Sequence, residues 1–543
     1  MIFKKKPRII YNDDACSLAI SPQPHTTEKI SRAVDYLKGS QVDVLCWCVM
    51  EGDVVSGYPS KVVENKFDFF FSQFPDNRAG QKLRQQALAN TKDMTISLYA
   101  QGIDYLPTLI ELTQKAGMKF YASFRMNDCH HKSCPRGSFS VDHATYLVSK
   151  FWETHQHCRL WEVTDAQSYY NATMDYSFPE VRNNRINAIK ELANNYDVDG
   201  IELDFYRNPY IFPPSEAWTK RKILTDFIKE IRCAITAIGQ KKHKKIGFLL
   251  RLPFAQDRFT HGNENRLVLA GMDVEDWIKN RYMDILVMTY GTNNLNYTVE
   301  PWRSLCRKHK VLFYPSVEAG PADNAPAHNH VVPVKPDEVV KRTYAASLQF
   351  LSQGVDGIYM FNYACHLREH NWSKIQFSKL ATVPYQAGTI KTIKNIPRQY
   401  TFWKELPIYI EPLRPAKYHQ TIKFNILADD LKKDKKAVLS FRQIAEPFPH
   451  AEINYRQNPI VKPGVIDYYL NGCQIDEKII RRIVQPAGKI PSGFMLNRHE
   501  LLEIRLPASN LVNGENSLAF HMPHFPCETD PYVYIYELVV DIV

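Results

Sequence analysis

The chain is 543 residues long, more than one ordinary domain of roughly 150 residues, though an α/β barrel fills about 250 or more by itself. Hydrophobic residues at 44% and charged residues at 23% exclude wholesale disorder, and no run approaches the roughly 20 apolar residues of a membrane helix. Lys and Arg number 68 against 58 Asp and Glu, and the net charge of +10 permits an anionic partner without choosing among nucleic acid, acidic glycan and membrane surface.

Taken in chain order, short β-branched and aromatic runs alternate with segments of helical period. The spacing predicts strands over Arg8–Asn12, Val42–Cys48, Lys119–Phe124, Val198–Phe205, Ile246–Leu252, Asp284–Tyr290, Val311–Ser316 and Val355–Asn362. Helices are expected over Glu28–Lys38, Leu106–Ala116, Val181–Asn194, Ala217–Ile238, Val274–Arg281, Pro301–His309 and Pro336–Leu351. Eight strands, each followed by helical material, is the count of a (β/α)8 TIM barrel. The alternative, a doubly wound sheet, is weakened because Asn12-Asp13-Asp14 stands after the first strand where a Gly-rich phosphate turn would be. The longest connections follow the second and third strands, and the second of these is rich in His, Trp and Tyr. In a barrel such loops read as binding walls for ring-shaped ligands.

After Pro384 the character changes. Gly388 to Tyr400 reads as a linker, and short alternating strands follow at Thr421–Leu427, Ala437–Phe441, Ile466–Leu470, Leu502–Leu506, Ser517–Met522 and Tyr532–Val540. Asn471-Gly472 and Asn513-Gly514 supply turns between them. The expected division is therefore a catalytic barrel over residues 1–387, then a linker and C-terminal all-β sandwich over 388–543.

The fourth strand carries the chemistry. Strand alternation puts Glu202, Asp204 and Tyr206 on one face and turns Leu203 and Phe205 to the other. Two acids so placed repel, which raises one pKa as a general acid requires. The alternative is a buried ion pair with an arginine of a neighbouring strand, such as Arg125 or Arg251. Glu318, at the exit of the seventh strand, is the expected second carboxylate, acting as nucleophile or base; a gap of about 5–5.5 Å would give a retaining reaction. Further polar and aromatic groups gather at strand exits and are expected to bind substrate: Asn12, Asp13, Asp14, Trp47, Arg125, Asn127, Asp128, His130, Tyr206, Arg207, Arg251, Tyr290, Asn362 and Tyr363.

Asp175, Pro179-Glu-Val-Arg182 and Tyr196-Asp-Val-Asp-Gly-Ile-Glu-Leu-Asp-Phe-Tyr-Arg-Asn-Pro209 together resemble bacterial TIM-barrel glycoside hydrolases of the family-10-like glycosyl hydrolases. Asp204 and Tyr206-Arg207 match that pattern directly; Glu202 stands at a variable position, and Phe205 replaces an Asp common there. Arg251-Leu-Pro and Asp284-Ile-Leu-Val extend the resemblance. A likeness to the chitinase-type strand is weaker, since Tyr206 replaces its terminal Glu. The resemblance implies a glycosidase fold and broad chemistry, without carrying over a catalytic pair.

Asp128-Cys129-His130-His131 with Cys134 lacks a second ligand pair nearby, so no metal is expected, and no cofactor. Cys46 and Cys48 share a strand face and are expected to fill the barrel core. No Gly-x-Ser-x-Gly elbow, P-loop or Gly-x-Gly-x-x-Gly occurs. The basic runs Lys4–Lys6, Lys241–Lys245 and Lys432–Lys436 are separated and read as solvated, so the partner expected is an oligo- or polysaccharide rather than nucleic acid or membrane, with a homo-oligomer left open. An anionic glycan, sulfated or uronate-bearing, fits the positive balance. The expected function is thus a glycoside hydrolase, with Asp204 or Glu202 as acid/base. A non-catalytic glycan-binding barrel and a polysaccharide lyase are the alternatives. Eleven scattered cysteines point to a reducing, cytoplasmic setting, or a periplasmic one if a signal peptide has been removed.

Overall fold

The computed structural model describes the chain except residues 1–2, 52–54, 129–148, 161–172, 207, 255–264, 291–294, 319–335, 362, 364–373, 404–405, 411–417, 447–459, 461–464, 491–494 and 523–531; at a few element ends, Glu51, Tyr290 and Glu318 among them, it describes the backbone alone. Two compact units result. One comprises Met1–Tyr290, Glu300–Ser316 and Val355–Ser373, the other Gly291–Val299, Val317–Gly354 and Lys374–Val543.

Eight strands form a closed barrel: β1 (Ile9–Asp13), β2 (Val42–Glu51), β3 (Lys119–Arg125), β4 (Gly200–Asp204), β5 (Gly247–Pro253), β6 (Ile285–Tyr290), β7 (Leu312–Glu318) and β8 (Ile358–Phe361). Each neighbours the next in sequence, and β1 pairs in parallel with both β2 and β8, which closes the ring. All eight predicted strands are present, so the TIM-barrel expectation holds. A two-residue strand, Val55–Ser56, folds back antiparallel on the end of β2.

The barrel's interior is apolar in its lower part. Ile10, Val44, Cys46, Tyr121, Leu249, Ile285, Val287, Tyr314, Tyr359 and Phe361 form one cluster, with Phe3 and Leu312 packed against it. Tyr121 fits only because its neighbours across β4 and β5 are Gly200 and Gly247; a Cβ at either would collide with the ring or its hydroxyl. Ile201, Leu203 and Phe205 point outward and are wholly buried. Pro179–Asn195, the helix before β4, starts with Pro179 in its first turn, where the missing N–H is no loss, and with Glu180 beside it to complement the helix dipole.

Helix expectations were met at Tyr105–Lys115, Ala217–Lys241, Val274–Lys279 and Trp302–His309, with ends shifted by a few residues. Glu28–Lys38 is instead two 3-10 helices, Thr27–Ala33 and Asp35–Leu37. The long connection after β2 holds three unpredicted helices, Lys66–Ser72, Arg78–Asn90 and Met94–Ala100, whose N-caps Asn65, Asn77 and Asp93 each accept a backbone N–H. Cys16 is disulfide-bonded, which the scattered cysteine count did not foresee.

Besides a two-stranded sheet, Gly488–Lys489 with Met495–Leu496, the second unit contains two larger antiparallel sheets. In one, Tyr532–Ile542 lies between Arg398–Thr401 and Lys436–Glu446, and the sheet continues through His499–Pro507 to Ile480–Gln485. The other runs His419–Ile426, Gly514–His521, Asp467–Leu470, Cys473–Gln474. Phe441 of the first sheet meets Tyr468 and Phe520 of the second at ring-centroid distances of 5.5 and 5.3 Å, so the sheets pack face to face as a sandwich. Gly388–Tyr400, expected as a linker, instead contains a helical turn, Ile390–Ile393, and the first residues of a sheet strand, Arg398–Thr401. Among the described residues no helix is long and apolar enough to cross a membrane.

Candidate active site

Parallel register sets Arg125 of β3, Asp204 of β4 and Arg251 of β5 side by side at the carboxyl end of the barrel. All three are buried. Asp204 Oδ2 accepts from Arg251 Nη1 at 2.9 Å, and Oδ1 accepts the backbone N–H of Tyr206 at 2.8 Å. The Arg251 guanidinium also lies 3.6 Å from the ring centroid of Phe361, 4.6 Å from that of Tyr206 and 5.4 Å from that of Tyr359. Aromatic faces thus cage the cation and fix its direction. The ion pair weighed as the alternative for strand four is therefore real, and Arg251 is the partner. Arg125 is held by Asp14 and, at 2.8 Å, by Asp128.

One step deeper on the same face, Glu202 is wholly buried. Its Oε1 accepts from the Tyr359 hydroxyl at 2.7 Å, while Oε2 has no hydrogen-bond partner. Burial first, and the charge of Asp204 second, push the Glu202 carboxyl up to about 7, against the opposing pull of the Ser123 and Tyr359 hydroxyls and Arg251. The repulsion expected from the two-residue spacing is present, but desolvation is the larger cause. Four further oxygens of inward-facing side chains lack partners: Asn12 Oδ1, Tyr121 Oη, Thr289 Oγ1 and Ser316 Oγ. A buried polar atom left so costs about 1–3 kcal/mol.

Residues 77–224 match the family Glycosyl hydrolase-like 10.

That stretch holds β3, β4 and the helix Pro179–Asn195. The resemblance carried by Pro179–Arg182 and Tyr196–Pro209 is thereby borne out. Among solved structures, the chain is similar to α-L-fucosidase isoenzyme 2 from Paenibacillus thiaminolyticus at 13% identity and a TM-score of 0.39, over 73% of this chain and 51% of that one. It thus spans about half the length of that fucosidase chain. It is also similar to the PgaB (BpsB) glycoside hydrolase domain from Bordetella bronchiseptica, at 11% identity and a TM-score of 0.39, over 69% and 98% of the two chains. A glucosidase from Croceicoccus marinus gives 9% identity and 0.35 over 95% of each. No curated protein matches the sequence.

Within the barrel the predicted site residues divide. Glu202, Asp204, Tyr206 and Arg251 come together, and Asp14, Arg125 and Asp128 form a second charged group. Four others are committed elsewhere. Trp47 alternates with inward Cys46, so it faces outward, wholly buried, and donates its Nε1–H to the Tyr105 hydroxyl at 3.2 Å. Asn127 ties loops together: its Nδ2 donates to the carbonyls of Met174 and Tyr210 at 3.2 and 2.9 Å, and its Oδ1 accepts from Met174 N. Asp13 accepts from the hydroxyl and N–H of Ser17, holding the short helix Cys16–Ala19. Tyr363 is buried edge-on to Tyr11 at 6.4 Å. His130, Arg207 and Asn362 lie outside the described residues, as do the side chains of Glu318 and Tyr290.

Tyr359, Phe361 and Ser123 went unpredicted. Their signal was available in alternation: each shares its strand's inward parity, which the polar-residue search at strand exits passed over. Cys46 does fill the core, and burial pushes its thiol well up, with the Glu202 charge adding to that.

Proposed function

We propose that the protein is a glycoside hydrolase acting on an oligo- or polysaccharide, with its chemistry in residues 1–387 and the sandwich of 388–543 as a brace. The observation that carries this reading is Asp204: a buried carboxylate at the carboxyl end of β4, aimed by Arg251 and the Tyr206 N–H, in the segment that matches a hydrolase-like family. With hydrogen bonds accepted at both oxygens, Asp204 suits the anionic role, facing an oxocarbenium-like transition state, better than that of proton donor. Glu202 is too deep to meet a glycosidic oxygen and acts through Tyr359 and Arg251 as a positioning group. Glu318 ends β7, three places from β4 in the strand order, and on that order we assign it the second carboxylate, with retention of configuration.

The test is hydrolysis of a broad glycan panel by the full chain. Asp204→Asn and Glu318→Gln should each lower kcat/KM by about 100-fold or more. Undiminished activity in either variant removes that residue from the pair, and an inverted anomer seen by NMR removes the retaining mechanism. Products absorbing in the ultraviolet would indicate a lyase. One observation favours a second reading, a glycan-binding barrel without catalysis: both Asp204 oxygens are engaged and Glu202 is fully enclosed. Binding without cleavage across the panel would establish it.

A further inference from the structure

The helices of the barrel return to its strands through short turns at the amino end, opposite the strand exits. Before β3, the helix Tyr105–Lys115 closes with Gly117 in the left-handed conformation at φ 82°, and the N–H of Met118 donates back to the Thr113 carbonyl at 3.2 Å. Glycine is the ordinary residue there, because a Cβ crowds the following carbonyl. Gly39 and Gly354 stand likewise before β2 and β8, at φ 72° and 77°. The turns before β5, β6 and β7 depart from that rule. Their left-handed residues are His243, Arg281 and Lys310, at φ 51°, 56° and 60°. The same backward bond closes each turn, from Lys244 N to Gly239 O, from Tyr282 N to Trp277 O and from Val311 N to Cys306 O. Three neighbouring strands of the ring thus each begin behind a basic residue held where glycine is easier. Backbone strain kept in this way points to a use outside folding.

Charge gathers on the same end. Lys4 and Lys5 before β1, Lys241 and Lys245 before β5, Arg281 before β6, and Lys308 and Lys310 before β7 are exposed and meet no carboxylate among the described residues. Lys6 pairs with Asp356 at 2.6 Å, at the start of β8, which fixes the first of these runs at the amino end. The acids that could neutralise the surplus, Asp43, Asp197, Asp199, Asp284 and Asp356, already hold other cations. Basic runs far apart in the sequence therefore meet around one end of the barrel.

The make-up of this surface selects its partner. Among the described residues, none of the exposed large apolar side chains lies in these turns, so the surface offers neither a wedge for insertion nor a ring for stacking bases. All but one of the unpaired cations are lysines, compact point charges without the planar fork by which Arg grips a single phosphate. Point charges spread around a ring match a plane of anionic headgroups better than a single strand of phosphates.

We propose that the amino end of the barrel docks on an anionic lipid surface, through Lys4 and Lys5 and the turns before β5, β6 and β7. The contact is electrostatic, reversible and weakened by salt, and it leaves the strand exits pointing away from the lipid. It stands whether or not the barrel cleaves glycans.

Co-sedimentation of the full chain with vesicles of phosphatidylcholine, alone or mixed with phosphatidylglycerol, tests this. Binding should require phosphatidylglycerol and fade as salt is added. Arg281→Gly and Lys310→Gly should each weaken it by about fivefold, through loss of one charge near the surface. Both should also raise the melting temperature, because glycine relieves the left-handed backbone. Arg281→Lys keeps the charge and should bind as the parent does. Binding that ignores phosphatidylglycerol overturns the proposal, as does unchanged binding in both glycine variants or a lower melting temperature in both. Tighter capture of duplex DNA or of a sulfated polysaccharide than of the mixed vesicles overturns the choice of lipid.

Discussion

At Glu202 the folded chain holds a carboxyl whose proton leaves near pH 7 rather than near 4.5. The cause is enclosure, followed by the charge of Asp204 on the same strand face. Because the folded value is the higher one, the native state binds more protons than the unfolded state between those values. Stability is therefore full below pH 4.5 and falls as pH rises through about 7. A shift of this size corresponds to at most about 3 kcal/mol. Glu202→Gln, which does not titrate, should flatten that slope: melting temperature followed from pH 4 to pH 8 should decline less in the variant than in the parent. Equal slopes would mean that Glu202 is not the buried acid. The sequence did show that one member of this pair must be raised, since Glu202 and Asp204 share a face. It could not show which, because the deciding factors, the enclosure of Glu202 and the pairing of Asp204 with Arg251 of β5, depend on residues distant in the chain.

Among the elements, β3, β4 and β5 depend on one another through a single ring. Gly200 and Gly247 leave the slot that Tyr121 fills, and the atoms in the way differ: at Gly247 chiefly the Tyr121 hydroxyl, at Gly200 the ring carbons. Gly247→Ala and Gly200→Ala should each destabilise by about 1–3 kcal/mol through overpacking. Tyr121→Phe should restore much of the loss in Gly247→Ala and little of it in Gly200→Ala. Denaturant unfolding of the two double variants checks this, and equal rescue would mean that the slot is shaped otherwise. All eight barrel strands were legible as elements because each is a short β-branched or aromatic run bounded by turns. The helices over 66–100 were not. Arg78–Asn90 carries few large apolar residues and buries little beyond Gly80, so periodicity gave no signal, and only the capping residues Asn65, Asn77 and Asp93 mark these starts. Trp47 was misassigned for a related reason. With Cys46 facing the core, alternation turns position 47 outward wherever the strand ends.

For the whole molecule, the two units should respond to acid in opposite ways. In the second unit, Asp430 is buried with Arg398 at 2.6 Å and also meets Lys435. Burial alone would raise its pKa, but the hydrogen bonds and charges of Arg398 and Lys435 outweigh that and hold it well below the usual carboxylate range. Its contribution is present above the unfolded value of 3.8 and is lost as pH falls below it. The sandwich should therefore weaken in acid, where Glu202 favours the barrel. Asp430→Asn strands the Arg398 charge and should cost about 3–5 kcal/mol at neutral pH. Hydrogen exchange resolved by segment, at pH 7, pH 4 and about pH 2.5, would separate the two responses: the barrel should gain protection between the first two and the sandwich lose it between the last two, and parallel changes in both units would refute the assignment.

Tyr121, with Phe3 stacked 6.3 Å beneath it, stoppers the amino end of the barrel. A vessel closed at the bottom has one door. Whatever ligand enters between the strand exits must leave by the same route, so a polymer cannot be threaded through the barrel axis. On the proposed hydrolase reading, a product held at the strand exits blocks its successor until it departs, so inhibition by product should accompany turnover.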